Sequence, residues 1–174
     1  MQLADLISTA LDLDNGFVQG ALDGLSADEL AKSPDPQSNN IGWLVWHKMR
    51  TEDAIVSRLG GKDQVFTAGS WHTKLGRGAD PQITGRGEPV DQAVAFRVAD
   101  PQALKDYCAA VRARTKEFLA GLSEADVNKE MPHPRGGQTT ALFYLAILLV
   151  DGLQHSGQAS YLRGHLRGFG WAPA

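Results

Sequence analysis

The chain has a single cysteine, Cys108, in 174 residues, which removes two kinds of chemistry at once. No internal disulfide can form, and no cluster of thiolates can hold zinc. Cys108 sits in a helical pattern beside Tyr107 and Ala109, where a free cysteine usually packs as a small hydrophobe. Strong charge of one sign is missing too. The formal net charge is -3, and no basic stripe marks a nucleic-acid footprint. Arg112, Arg114 and Lys116 stand close together, but at spacings expected of a solvated helix face. Long apolar runs are also lacking. Ala141 to Val150 is the most apolar stretch and is too short to cross a bilayer. The first residues lack a basic segment, and Asp12 and Asp14 interrupt the apolar stretch near the start, so no secretory signal is expected and a cytoplasmic location fits. No alternating pattern of strand type competes with the helical periods.

A composition of 43% hydrophobic and 21% charged residues is that of an ordinary globular protein. The length suits a single domain over 1–174. Apolar residues recur at helical spacing from about Gln2 to Leu25, with an irregularity expected near Asn15 and Gly16. Ser26 and Glu29 form a capping box for a short helix. A second long helix is predicted from Ile41 to about Leu59, stopped by Gly60 and Gly61. Residues 61–100 are rich in glycine and proline. They read as a long ordered loop with a short helix at 90–96, and a loop of that length in a compact domain is expected to cover something. Asp100 and Pro101 open a third long helix to about Leu122. Ser123 to Val127 echoes Ser26 to Leu30, and a fourth long helix comes next, over about 138–163. Four long helices with unequal connections predict an all-α four-helix bundle.

Asp151 and His155 carry the chemical interest. They lie four residues apart, so they point the same way from one helix. They share that direction with Tyr144, Leu145, Leu148, Gly152, Ala159 and Leu162, the stripe a bundle helix buries. A carboxylate and an imidazole there cost several kcal/mol, roughly, unless compensated, and a metal ion is one compensator. His47 is the candidate third ligand. It shares a face of the second helix with Leu44, Thr51, Ala54 and Ile55. Two imidazoles and a carboxylate from facing helices can hold a divalent first-row metal with positions left open.

The segment Asn40 to His47, followed by Arg50, Thr51, Glu52 and Asp53, resembles the second helix of the DinB-like (DNA-damage-inducible) superfamily. His155, Ser156, Gly157 and Gln158, followed by Tyr161 to Gly164, resemble its fourth helix. The resemblance runs over nearly the whole chain in order and spacing. It implies an up-down-down-up bundle with three metal ligands, usually three histidines, one from the second helix and two from the fourth. His47 and His155 match that pattern. Asp151 stands where the family usually has histidine. The implied cofactor is a divalent ion such as zinc, nickel, iron or manganese. Family members include S-transferases using bacillithiol or mycothiol and a mycothiol-dependent maleylpyruvate isomerase. The expected partners are therefore a small-molecule substrate and a low-molecular-weight thiol, with no nucleic acid and no membrane. The family also implies homodimers, and the apolar girth of the second helix at Trp43, Val45, Trp46 and Met49 points the same way.

A hydrolase using a metal-activated water fits the same residues. A second reading is non-catalytic: a stress-associated bundle or a binding module whose His47, Asp151 and His155 are structural. The remaining histidines read blandly, His72 as a solvated loop residue, His133 as structural in a proline-flanked turn, and His165 as favourable near a helix C-terminus. Glu52 points away from His47 on the helical wheel and reads as an exposed charge.

Overall fold

The structure, a computed structural model, describes residues 3–172. Four long helices make the bundle: α1 (Leu3–Leu22), α3 (Ile41–Gly60), α7 (Pro101–Ala120) and α9 (Ala141–Arg167). Short helices fill the connections: α2 (Ala27–Leu30), α4 (Val65–Ala68), α5 (Trp71–Lys74), α6 (Val90–Val94) and α8 (Glu124–Val127). Asp14 meets Ser156 and Asp23 meets Arg163, so α1 and α9 run parallel. His47 faces Asp151 while Arg58 stacks on Tyr144, so α3 runs against α9. Asp53 meets Tyr107, and Gly60 lies against Phe118, which makes α3 and α7 parallel. This is the expected up-down-down-up order.

The ends follow local chemistry. Ser26 and Ser123 each open a short helix with a complete capping box. Asn40 caps α3 by accepting the Trp43 N–H at 2.8 Å, and its amide donates to the Phe96 carbonyl at 3.1 Å. Asp100 caps α7, with Pro101 in its first turn.

Four expectations need correction. The helix α1 passes through Asn15 and Gly16 without a break; the preceding Asp14 is buried and paired to Lys48, so tertiary packing overrides the poor helix propensity. Its expected first residue, Gln2, lies outside the described residues. A small hairpin exists after all: β1 (Glu130–Pro132) pairs with β2 (Gln138–Thr140), with Met131 opposite Thr139. Three-residue strands are too short to show a period. That pairing delays the start of α9 from the expected 138 to Ala141, and the helix continues to Arg167. Finally, 61–100 holds three short helices rather than one, and it does cover something.

The covered element is α3. Trp43, Val45, Trp46 and Met49 are all buried. Phe66, Leu75, Ala93, Phe96 and Val98 of the covering segment join them in one apolar cluster. The girth that suggested a dimer surface is buried within one chain. Arg77 lies over the Trp46 ring at 3.9 Å and pairs with Glu88 through two bonds of 2.7 and 2.9 Å. Among the described residues, no helix is long and apolar enough to cross a membrane.

Candidate metal centre

The antiparallel packing of α3 on α9 brings the three sequence candidates together. His47 Nε2 lies 3.9 Å from Asp151 Oδ1, and His155 Nε2 lies 3.6 Å from the same oxygen. One ligand atom from each residue lies within 4.8 Å of the others. Ligands about 2.1 Å from a tetrahedral ion stand roughly 3.4 Å apart, close to the two shorter separations. The stripe expected on α9 is buried as predicted at Tyr144, Leu145, Leu148, Gly152, Ala159 and Leu162. Asp151 and His155 stand at its edge, with side chains 25% and 17% exposed, so solvent and ligands can reach them.

The hydrogen bonds decide which nitrogens are free. His47 Nδ1 is 2.5 Å from the Thr84 carbonyl oxygen. A carbonyl only accepts, so Nδ1 carries the proton and the Nε2 lone pair faces Asp151. His155 Nδ1 meets the Gln158 amide oxygen at 2.8 Å, which selects the same tautomer. Asp151 Oδ2 is buried without a hydrogen-bond partner among the described residues. With both rings neutral, two imidazole lone pairs and a carboxylate converge. An acceptor without a donor is costly where it is buried, as Asp151 Oδ2 is, and a cation satisfies the set. The donor set therefore fits a divalent ion of the imidazole and carboxylate type.

Electrostatics suit a metal at His47 and Asp151, and set a proton in competition with it at His155. Burial holds the His47 pKa below its ordinary value, although the Thr84 carbonyl and the Asp151 charge pull the other way. Burial acts on His155 in the same sense, but the Asp151 and Gln158 hydrogen bonds outweigh it and leave that pKa raised. Burial would lift Asp151, yet His155 and then His47, with a smaller contribution from Thr51, bring its pKa below the usual carboxylate range. Near neutral pH, Asp151 is a carboxylate and His47 a neutral imidazole, the forms a metal requires.

The covering segment fixes the His47 ring. Trp43 stacks on it with centroids 4.8 Å apart and planes 14° from parallel. Gly85, at φ +91°, lies so close that a Cβ there would stand 2.9 Å from Trp43, 2.9 Å from Trp46 and 3.1 Å from His47 Nδ1. Only glycine brings the Thr84 carbonyl this near. Arg50 anchors the same strand of chain, donating to the Pro81 and Ile83 carbonyls at 2.9 and 3.1 Å. Sequence reasoning missed Thr84, Gly85 and Gln158 as supports. The spacing of Gln158 from His155, about one helical turn, was a usable signal. Thr84 sent none, because a backbone carbonyl has no residue type.

Other candidates fall elsewhere. Glu52 is buried, not exposed: Arg112 donates to it at 2.9 Å and Thr115 at 2.7 Å, while Lys48 lies 3.7 Å away. Arg112 is correspondingly buried rather than solvated. The helical wheel gave the direction of Glu52 correctly but could not show that α7 stands there. His72 is half-buried with its ring against Phe66, and it is not part of the trio. His133 lies in the hairpin turn, where its Nδ1 accepts the Arg135 N–H. His165 is exposed in the last turn of α9. Cys108 is fully buried, and burial pushes its thiol up to about 12, which removes it as a nucleophile.

A groove of about 730 Å³ opens beside the trio between α3 and α9. His47 and Asp151 form part of its wall.

The DinB superfamily model matches residues 17–159, most of the chain, with His47, Asp151 and His155 inside the match. The chain belongs to the DinB superfamily. The bundle is also similar to the crystal structure of a conserved protein from Enterococcus faecalis, with a TM-score of 0.86 and 26% sequence identity, covering 97% of this chain and 99% of that one. No curated protein matches the chain. Membership in the DinB superfamily and the clustered His47, Asp151 and His155 are both consistent with a metal site.

Proposed function

We propose that this DinB-superfamily protein is a divalent-metal-dependent enzyme that transfers or adds a small thiol to an electrophilic small molecule. The observation that carries this reading is the convergence of three acceptors, with both imidazole protons committed to Nδ1. His47, Asp151 and His155 would hold the ion. An ion there supplies Lewis acidity, lowering the pKa of a thiol or water in its open positions toward neutral. The protein's own residues do the rest. Thr84 and Gln158 orient the two imidazoles. Trp43 and Gly85 restrict the His47 ring, and the groove beside the trio gives substrate a largely apolar approach to it. Activation of water, giving a hydrolase, uses the same residues.

Elemental analysis of protein purified without chelators, followed by a thiol-transfer assay, tests the proposal. The expected result is one divalent ion per chain, lost in His155→Ala and retained or strengthened in Asp151→His. Unchanged metal content in His47→Ala would show that the ligand set is wrong. A second, structural reading draws on the ion-pair distances from Asp151 to both histidines. It forecasts that added metal leaves the melting temperature unmoved and that Asp151→Asn costs stability.

A further inference from the structure

The groove beside the trio has walls of unequal character. On α3, Thr51, Ile55 and Arg58 follow His47 along one face; on α9, Ile147 and Tyr144 face them. His47 and Arg58 are eleven positions apart, about 16 Å along the helix axis. The floor between them is mainly apolar. Among the described residues, Asp151 is the one acidic group lining the groove, and it belongs to the trio. Two guanidinium groups stand at the rim, Arg58 at the far end and Arg86 two residues past the Thr84 support. Both are exposed, and neither side chain has an ion pair or hydrogen bond within the described residues. The Arg58 guanidinium is nonetheless held in place. It lies 4.8 Å from the centroid of the Tyr144 ring, and the Tyr144 hydroxyl is itself tied to the Pro132 carbonyl.

We propose that this groove binds an elongated organic carboxylate. Arg58 takes the carboxylate, the apolar body lies across Ile55 and Ile147, and the opposite end of the molecule reaches the trio. A guanidinium presents parallel donors that match a carboxylate, and an apolar trough beside it favours an amphipathic ligand over a small hydrophilic ion. The volume is that of a small-molecule site. Arg86, at the mouth, adds positive potential that favours the approach of anions. What happens at the trio end rests on the metal-centre reading; the carboxylate end does not.

Calorimetric titration of the metal-free protein with octanoate and with octanamide tests the assignment. Octanoate should bind about tenfold more tightly than octanamide, the difference expected of one charge-assisted contact. In Arg58→Gln the two ligands should bind alike, because Arg58 is exposed and its loss leaves the fold intact. Ala146→Trp, an exposed position on the groove wall, should abolish octanoate binding by filling the trough. Equal affinities in the unsubstituted protein, a carboxylate preference that survives Arg58→Gln, or octanoate binding that survives Ala146→Trp would each overturn the proposal. No metal is present in the titration. A carboxylate preference in a protein that never takes up metal therefore supports the groove assignment while removing the enzymatic reading, and metal uptake without the preference does the reverse.

Discussion

Two ionisable sets lie one turn apart on α3 and are built on opposite principles. Arg50 and Asp53 are fully buried, and every polar atom in the set is spoken for. Arg50 donates to Asp53, Tyr107, Gln64, Pro81 and Ile83. Asp53 accepts from the Val65 and Phe66 N–H groups, both at 2.8 Å, and from Ser57 and Tyr107. That set is closed, and its product is a folded segment: it anchors 61–100 to the bundle. His47, Asp151 and His155 are supported just as carefully on their outer atoms. With both rings neutral, their inner atoms are acceptors only, and Asp151 Oδ2 is buried without a hydrogen-bond partner among the described residues. Buried polar groups that hold a fold satisfy one another, whereas groups that hold a ligand are left incomplete toward it.

The largest effect should come from opening the closed set. Arg50→Met leaves the Asp53 charge buried and partly unpartnered, and a broken buried pair costs about 3–5 kcal/mol. The urea midpoint should fall accordingly. Adding Asp53→Asn should recover part of the loss, because the stranded charge is gone. The open set should behave in the opposite way. His155→Ala should change the stability of metal-free protein by less than about 1 kcal/mol, since the ring is partly solvated. Added zinc is expected to stabilise the unsubstituted protein, by about 2.7 kcal/mol at a hundredfold excess over Kd, and to leave His155→Ala unmoved. Equal losses in both variants, with no dependence on zinc, would erase the distinction between the two sets.

A smaller effect tests the link between them. The closed set holds the chain on which Thr84 and Gly85 sit. Gly85→Ala places a Cβ against Trp43, Trp46 and His47 and must push the Thr84 carbonyl away. Losing such a support typically costs ten- to a hundredfold in metal affinity, roughly. Thr84→Ala should cost little, because the carbonyl remains. Zinc affinities measured by competition with a chelator separate the two variants.

How much of this was legible in the chain depends on the kind of contact. Helical periods, capping boxes at Ser26 and Ser123, and the Asp100–Pro101 start all follow from local chemistry, and they placed the four long helices to within a few residues. The trio was legible because two motifs survive in sequence and a four-residue spacing fixes the relation of Asp151 to His155. Glu52 and Arg112 were misread as solvated because the packing of α7 against α3 and α1 buries them, and no local pattern encodes those contacts. Lys48 went unread because its closer partner, Asp14, comes from α1, although Glu52 stands one turn away on α3 itself. The role of Thr84 was invisible because it acts through its backbone.

The finest test of the open set is its response to pH without metal. The two histidines should act with opposite signs. The His155 pKa is raised in the fold, chiefly because Asp151 and Gln158 outweigh burial. Its contribution to stability is complete below the unfolded value of about 6.5 and disappears as pH rises through the higher folded value. The His47 pKa is lowered, with burial dominant. Its neutral form suits the fold, so its contribution is complete above about 6.5 and disappears as pH falls through the lower folded value. Stability differences between unsubstituted protein and His155→Gln should therefore be largest near pH 5.5 and shrink toward pH 8. For His47→Gln they should grow over the same interval. Saturating zinc should abolish both trends above about pH 7, where bound metal keeps each imidazole neutral, and its effect should weaken below that as protons compete for Nε2. Parallel trends for the two variants would mean that both rings face the same environment, and the asymmetry between the Thr84 and Gln158 supports would then have no energetic consequence.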